Sequence, residues 1–444
     1  MSKWPPDYDD RYLPPPGSRY WFPERECQDP EAREGDILRK IQATMAWAWE
    51  RAPFYRKKWQ GAGLEPGDIK GLDDFRKVPV VTKQELRDDE AAHRPLGSYL
   101  CIPREEVRRI HGTSGTTGKP TAFAIGRDDW RRIANAHARV MWSFGLRPSD
   151  TVFFGSFFSL YMGGWGALAG VERLGATAFP FGAGVPGQTL MALRWLREMR
   201  PSAFYGTPSY GLYVAEKARQ EGIDPREFGL RILFFSGEPG AGIPSTKRRV
   251  EEAYGGMCVD TGSMAEMTPW MTNAECEFRS GMHLWQDIVY TELLHPELRT
   301  PMPFGQEGVP TYTHLERTSQ PMIRLWSGDL ATWTDEVDVK AGKHLVEQGA
   351  FPHEFMLIES GTAEVVHDGN RIADLGPGDF FGEMALLEEH RRTATVTASS
   401  DLRIVVMHDR DFRAMEDEMP EVAQRIRAVM DERRGRDQRR SAES

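Results

Sequence analysis

Between about residues 105 and 330, apolar strand-like runs alternate with amphipathic helical stretches, and near Trp333 that texture stops. Val152-Phe153-Phe154, Thr177-Ala178-Phe179-Pro180 and Arg231-Ile232-Leu233-Phe234-Phe235 read as buried strands. Asp128 to Val140, Gln188 to Met199 and Ser209 to Arg219 read as helices. The alternation calls for an α/β fold of mixed sheets with packed helices. From Val337 onward, β-branched runs such as Met356-Leu357-Ile358 and Leu402-Arg403-Ile404-Val405-Val406 are separated by Gly349, Gly361, Gly369 and Gly378. That spacing calls for a small all-β roll, followed by a C-terminal helix over Asp409 to Arg434. The expected division is a large domain over 1–334, a roll over 335–434 and a frayed tail over 435–444.

Ahead of the alternation, residues 1–30 are rich in proline and aromatics and are expected to lie over the surface. Glu31 to Trp49 carries Ile37, Ile41, Met45 and Trp49 at helical spacing, and Pro53 ends that helix. Thr82 with Glu85 three residues on reads as a capping box. Trp47 and Trp49 read as packing residues.

Thr151 to Val171 is uncharged and long enough to cross a bilayer, but it holds Gly155, Gly163, Gly164, Gly166 and Gly170. The next uncharged stretch, Leu174 to Leu193, is broken by Pro180 and Pro186. Both read as buried strands and pocket loops of a water-soluble core, with no membrane partner. The net charge of -10 argues against a general nucleic-acid binder, which needs a basic face for phosphates. Four scattered cysteines imply no disulfide framework, and no secretory signal opens the chain, so a cytoplasmic home is expected. A homodimer is a candidate assembly.

Thr113-Ser114-Gly115-Thr116-Thr117-Gly118-Lys119-Pro120 lies between strand-like Val107–Ile110 and Thr121–Ile125. Two glycines let the backbone approach an anion, and the hydroxyls with Lys119 add donors. A strand follows where a Walker A loop has a helix, so this is another kind of phosphate cradle. The plain alternative is a polar hairpin loop that binds nothing.

Several separated motifs resemble the adenylate-forming superfamily, in its phenylacetate–CoA ligase-like branch, over about residues 31–334. They are Arg51-Ala52-Pro53-Phe54-Tyr55-Arg56, Val78-Pro79-Val80-Val81-Thr82-Lys83, Arg109-Ile110-His111-Gly112-Thr113-Ser114-Gly115, Gly206-Thr207-Pro208-Ser209-Tyr210, Ser236-Gly237-Glu238-Pro239 and Pro321-Met322-Ile323-Arg324-Leu325-Trp326-Ser327-Gly328-Asp329-Leu330. The resemblance implies activation of a carboxylic acid by ATP to an acyl-adenylate, then transfer to a thiol, usually coenzyme A. An aryl or arylacetic acid is the implied substrate. By the same resemblance Thr113, Ser114, Gly115, Thr116, Thr117, Gly118 and Lys119 hold the phosphates, with Lys119 and Glu266 catalytic. Gly237, Glu238 and Pro239 line the adenine, Glu266 helps hold Mg²⁺, and Asp329 accepts the ribose hydroxyls. His111, beside the loop, either touches substrate or packs, and Tyr161 to Gly164 align with the acid-pocket wall.

Three departures stand out. Ala265 replaces a hydroxyl before Glu266. Cys276 and His283 resemble half of a zinc site seen in some relatives; two ligands do not make a tetrahedral site, so a structural role is expected. The resemblance also stops just after Asp329, leaving no counterpart to the family's small lid domain with its lysine.

In Phe381-Gly382-Glu383-Met384-Ala385-Leu386-Leu387-Glu388-Glu389-His390-Arg391-Arg392-Thr393-Ala394-Thr395-Val396, a glycine opens a short helix whose free amides suit an anion. Arg392 can make a bidentate contact to a phosphate, and Glu383 can accept a ribose hydroxyl. The stretch closely resembles the phosphate-binding cassette of cyclic nucleotide-binding domains, over about 337–432. The resemblance makes Gly382, Glu383, Ala385, Arg392 and Thr393 the contacts of a cAMP or cGMP effector, the choice between the two left open. About 36 residues follow His408, too few for a helix-turn-helix domain. The leading expectation is an acid–CoA ligase core with a cyclic nucleotide module as candidate regulator. The alternative is a non-catalytic nucleotide sensor or scaffold with a degenerate ligase core.

Overall fold

A computed structural model of the chain describes residues 3–113, 121–160, 162–183, 187–262, 264–267, 273–276, 279, 281–334, 336–339, 341–349, 355–382 and 392–407. They divide into two compact units, the larger running essentially to Thr332 and the smaller from Trp333 onward. In the larger unit, helices α1 (Pro23–Glu26), α2 (Pro30–Arg51), α3 (Pro53–Gly61), α4 (Leu72–Phe75) and α5 (Lys83–Ala92) come before any strand. Pro53 does end α2, and because proline suits a first helical position, α3 starts on it. The capping box forms: Glu85 N donates to Thr82 Oγ1 (3.2 Å), and Thr82 N donates to Glu85 Oε2 (2.8 Å). The aromatic N-terminal segment is anchored more deeply than its sequence suggests. Trp21 is fully buried, and Trp4 Nε1 and Tyr8 OH donate to Leu315 O and Glu316 Oε2.

A hairpin of β1 (Val107–Gly112) and β2 (Ala122–Gly126) leads into α6 (Arg127–Ser143). Strand β3 (Thr151–Gly155) and helix α7 (Met162–Leu174) follow, then β4 (Thr177–Phe179), α8 (Thr189–Met199), β5 (Ala203–Gly206) and α9 (Pro208–Gln220). Next come β6 (Ile232–Phe235), α10 (Pro244–Tyr254), β7 (Met257–Gly262), β8 (Asn273–Glu275) and β9 (Met282–Leu284). Strands β4-β3-β5-β6-β7 run parallel in that order, and β8 and β9 extend the sheet antiparallel. Alternate residues face opposite layers: Phe154, Tyr205 and Phe234 pack with the α6–α7 side, and Phe153, Phe204 and Phe235 with the other. Strands β10 (Val289–Leu294), β11 (Glu307–His314), β12 (Leu325–Trp326) and β13 (Ala331–Thr332) form a second sheet packed on the N-terminal helices.

The uncharged stretch from Thr151 corrects one expectation. Only 151–155 is strand; Met162–Leu174 is helix where strands and loops were expected. Its glycines let α7 lie close to its neighbours. A Cβ on Gly170 would come within 2.4 Å of His137 Cβ in α6, and one on Gly164 within 2.5 Å of Phe157 O. Glycine lowers helix propensity, but here tight packing outweighs it. The second stretch, from Leu174, likewise gives way to α8 at Thr189. No helix among the described residues is long and apolar enough to cross a membrane.

The smaller unit holds β14 (Glu336–Val339), β15 (His344–Val346), β16 (Phe355–Ser360), β17 (Ala363–His367), β18 (Asn370–Leu375), β19 (Phe380–Phe381), β20 (Thr395–Ala398) and β21 (Leu402–Met407). They make two four-stranded antiparallel sheets, β14-β21-β16-β19 and β15-β20-β17-β18, around Met356, Ile358, Phe381, Val396 and Ile404. The β17–β18 hairpin turns through Asp368 and Gly369, both at positive φ, as a two-residue loop of the primed type requires. The helix expected over 409–434 lies outside the described residues.

Candidate active site

The parallel sheet creates a crevice. From β3 the chain moves outward to β4, then returns to the opposite side of β3 as β5. Open α/β sheets bind ligands at such a switch, beyond the carboxyl ends of the strands. There Gly155 and Gly206 lie side by side in register. A Cβ on Gly206 would sit 2.8 Å from Gly155 O, and one on Gly155 would meet Phe204 and Tyr210. Glycine at both positions keeps the strand ends close. One strand further, β6 runs into Ser236-Gly237-Glu238-Pro239. Ser236 is buried, its N donating to Gly206 O (3.1 Å) and its hydroxyl 2.9 Å from Tyr205 OH. Gly237 takes positive φ. Glu238 Oε1 accepts from Ser209 N (2.7 Å) in the first turn of α9, where a helix favours a negative charge.

Asp260, level with Phe235 on β7, is a residue the motif reading passes over. A Cβ on Gly242 would come within 2.5 Å of its Oδ2, so its carboxyl lies against that backbone. Burial, then the neighbouring Glu275 charge, pushes its pKa up to about 6 against the pull of Lys247. Glu275 is itself paired with Lys247 and accepts from Asp260 N at 2.8 Å. The only sequence signal was an acid within an apolar strand. Glu266 is buried at 6% exposure, its charge acting on the buried Tyr99 hydroxyl. Asp329 is exposed after Gly328, its N donating to Ser327 Oγ (3.1 Å). Arg324, in the same motif, is buried and bonded to Glu292 at 2.8 and 2.9 Å.

The predicted phosphate loop is the hairpin connection between β1 and β2. Thr113 closes its neck, its N donating to Thr121 O (3.2 Å) and its Oγ1 accepting from Thr121 N (3.1 Å). Ser114, Gly115, Thr116, Thr117, Gly118 and Lys119 lie outside the described residues, as does Tyr161. Cys276 Sγ and His283 Nε2 are 3.0 Å apart, and among the described residues no three His, Cys, Asp or Glu side chains gather as a metal site. In the smaller unit, Gly382 has positive φ, and Arg392 is buried with Nη1 donating to Gly382 O at 2.9 Å. Thr393 is exposed, its carbonyl accepting from His367 Nδ1 (2.6 Å). Glu383 and Ala385 lie outside the described residues.

Phenylacetate-coenzyme A ligase of Thermus thermophilus is 33% identical to this chain over 315 residues, 71% of this chain and 68% of that protein. The chain belongs to the phenylacetate–coenzyme A ligase family. The Pseudomonas putida phenylacetate-coenzyme A ligase is 34% identical, covering 70% of each. An open conformation of 2-hydroxyisobutyryl-CoA ligase, solved with 2-HIB-AMP and CoA, is 57% identical with a TM-score of 0.73, over 75% of this chain and 72% of that one. The larger unit is thus that of an adenylate-forming acid–CoA ligase. The family model described as "Cyclic nucleotide-binding domain" matches residues 336–418. The chain therefore joins a member of this ligase family to a cyclic nucleotide-binding domain.

Proposed function

We propose that the larger unit activates a small branched 2-hydroxy acid with ATP, forming an acyl-adenylate, and passes the acyl group to coenzyme A. The observation that carries this reading is the 57% identity to 2-hydroxyisobutyryl-CoA ligase, well above the 33% shared with the Thermus phenylacetate ligase. That difference moves the choice of acid away from the aryl acids expected from family resemblance alone. In the first step a carboxylate oxygen attacks the α-phosphorus and pyrophosphate leaves; in the second, the thiol attacks the acyl carbon and AMP leaves. The neck at Thr113 and Thr121 presents the loop with Lys119 to the phosphates, and Ser236 to Pro239 lines the adenine. Asp260, beside that segment, offers an acceptor for the exocyclic amine, and Asp329 accepts the ribose hydroxyls. Buried Glu266 supplies the hard oxygen donor that Mg²⁺ accepts, and this ion is commonly held by one or two carboxylates plus substrate phosphates. An ion held there would neutralise phosphate charge. Pyrophosphate release from ATP is expected with 2-hydroxyisobutyrate and to be at least tenfold slower with phenylacetate. The reverse order would restore the aryl reading, and a folded chain that releases no pyrophosphate with any acid would favour the scaffold reading. Coenzyme A thioester, measured separately, reports the second step.

The smaller unit is proposed to bind cAMP or cGMP through Arg392, with Gly382, Glu383, Ala385 and Thr393, and to regulate the ligase. The carbonyl of Gly382 already holds one guanidinium nitrogen of Arg392, which fixes the side chain beside the cassette. A charge-assisted hydrogen bond is worth about 1.5–3 kcal/mol. Arg392→Ala is therefore expected to weaken cyclic nucleotide binding roughly ten- to a hundredfold, read by calorimetry on the full chain. Wild-type chain that binds neither nucleotide would make the cassette structural. ATP affinity with and without saturating cyclic nucleotide tests regulation, since coupling requires unequal values.

A further inference from the structure

His111 is 5% exposed on β1, two residues before the neck of the phosphate hairpin. Its ring lies parallel to Trp130 of α6, centroids 6.2 Å apart. Its Nδ1 is 3.2 Å from the carbonyl oxygen of Leu160. A carbonyl only accepts, so a neutral ring here carries its proton on Nδ1. Burial holds the ring below its ordinary pKa, and the Arg109 and Arg317 charges act in the same direction; the bond to Leu160 opposes them. Nε2 is buried with no hydrogen-bond partner among the described residues, so the ring is held on its polar side through Nδ1.

The Leu160 carbonyl receives a second bond, from Gly112 N at 3.2 Å. That approach is close: a Cβ on Gly112 would lie 3.1 Å from Leu160 Cδ2 and 3.0 Å from Thr121 O, so a larger residue would push these neighbours back by a few tenths of an ångström. Leu160 stands two residues before α7, at the segment beside the carboxyl end of β3. A parallel arm comes from Arg109, whose guanidinium carbon is 3.9 Å from the Trp130 centroid and 5.3 Å from that of Trp165 in α7. Trp165 Nε1 in turn donates to Ser159 O at 2.8 Å. Thus Arg109, His111 and Gly112 of one strand all reach the 159–165 region.

Resting on the ligase reading above, we infer that His111 is a positioning residue: its Nδ1–H clamps β1, just before the hairpin neck at Thr113, to the Leu160 segment that leads into α7, and so holds two walls of the ligase site in register. Adenylation requires the carboxylate in line with the α-phosphorus, and misplacement by a fraction of an ångström is costly in rate. The two walls belong to elements distant in sequence, and His111 joins them through a single acceptor.

The test compares His111→Ala, His111→Asn and His111→Gln in the full chain. The asparagine amide places a donor near the Nδ1 position while removing the ring; glutamine keeps more bulk but carries its amide past that position. Amide hydrogen exchange is read for peptides covering 107–113 and 157–166, with KM and kcat for 2-hydroxyisobutyrate and ATP. His111→Ala is expected to speed exchange in both segments together and to lower kcat/KM for the acid by roughly three- to tenfold, about one neutral hydrogen bond. Asparagine should restore both readouts and glutamine neither. Asparagine behaving like alanine, or exchange rising at 107–113 alone, would overturn the inference by leaving only ring packing. If alanine does not fold, the asparagine–glutamine comparison decides. A wild-type chain that releases no pyrophosphate with any acid sinks the ligase reading by itself, and the exchange comparison still decides the clamp.

Discussion

Glu266→Gln is expected to slow adenylate formation by about a hundred- to a thousandfold, the usual loss when one group stabilising transition-state charge is removed. The expectation follows from burial and charge together. Glu266 is 6% exposed, and a carboxylate out of water needs a counter-charge or hydrogen bonds. Magnesium on the ATP phosphates would supply that counter-charge at the moment it is needed. Glutamine keeps the shape and one acceptor oxygen but not the charge, so the fold and much of the ATP affinity should survive. Pyrophosphate release at saturating ATP and acid, with a direct ATP titration beside it, separates rate from binding. A rate within threefold of wild type would place the metal elsewhere. In Met264-Ala265-Glu266-Met267 this carboxylate is the one polar side chain.

What the sequence made legible was local or repeated. Thr82 and Glu85 specify a cap through three residues of spacing, and the Asp368-Gly369 turn needs nothing beyond its two neighbours. The strand runs around Phe153 and Phe234 are apolar on both faces, as parallel strands covered on both sides must be. Helix α7 was not legible because its glycines answer to a partner, His137 of α6, that no local rule can see. The same holds in the site. Asp260 gains its character from Gly242 and Glu275, and His111 from Leu160, 49 residues away. The Cys276–His283 pair was legible as a pair, and the strands β8 and β9 bring it to 3.0 Å. Arg324 read as part of a ligand motif, and its guanidinium is buried, bonded to Glu292 and to the Arg76 carbonyl.

Glu292→Ala is expected to destabilise the larger unit by about 3–5 kcal/mol, because it leaves the Arg324 guanidinium buried without its counter-charge. Arg324 is 3% exposed, with φ of 51°, and besides Glu292 it donates to the carbonyls of Arg76 (2.6 Å) and Val78. Its own carbonyl accepts from Val81 N, and Trp326 N donates back to Val81 O, both at 2.8 Å. This clamp fixes the strand that delivers Asp329 three residues later. Glu292 itself sits above its ordinary pKa, since burial outweighs the pull of Arg324. A carboxyl raised in the fold contributes stability below its unfolded pKa and loses it as pH rises through the folded value. The ionised pair is thus a positioning device, its mutual attraction outweighed by its desolvation. Replacing both residues together, Glu292→Met with Arg324→Met, should therefore recover much of the stability lost by Glu292→Ala. Urea unfolding at pH 7 reads both variants, and a single-variant loss below 1 kcal/mol would sink the argument. The double variant carries the functional half: stable again and with its backbone bonds to Val81, but without the guanidinium bonds to the Arg76 and Val78 carbonyls, it should bind ATP more weakly through a misplaced Asp329. Unchanged ATP affinity in that stable variant would free Asp329 from any dependence on the buried pair.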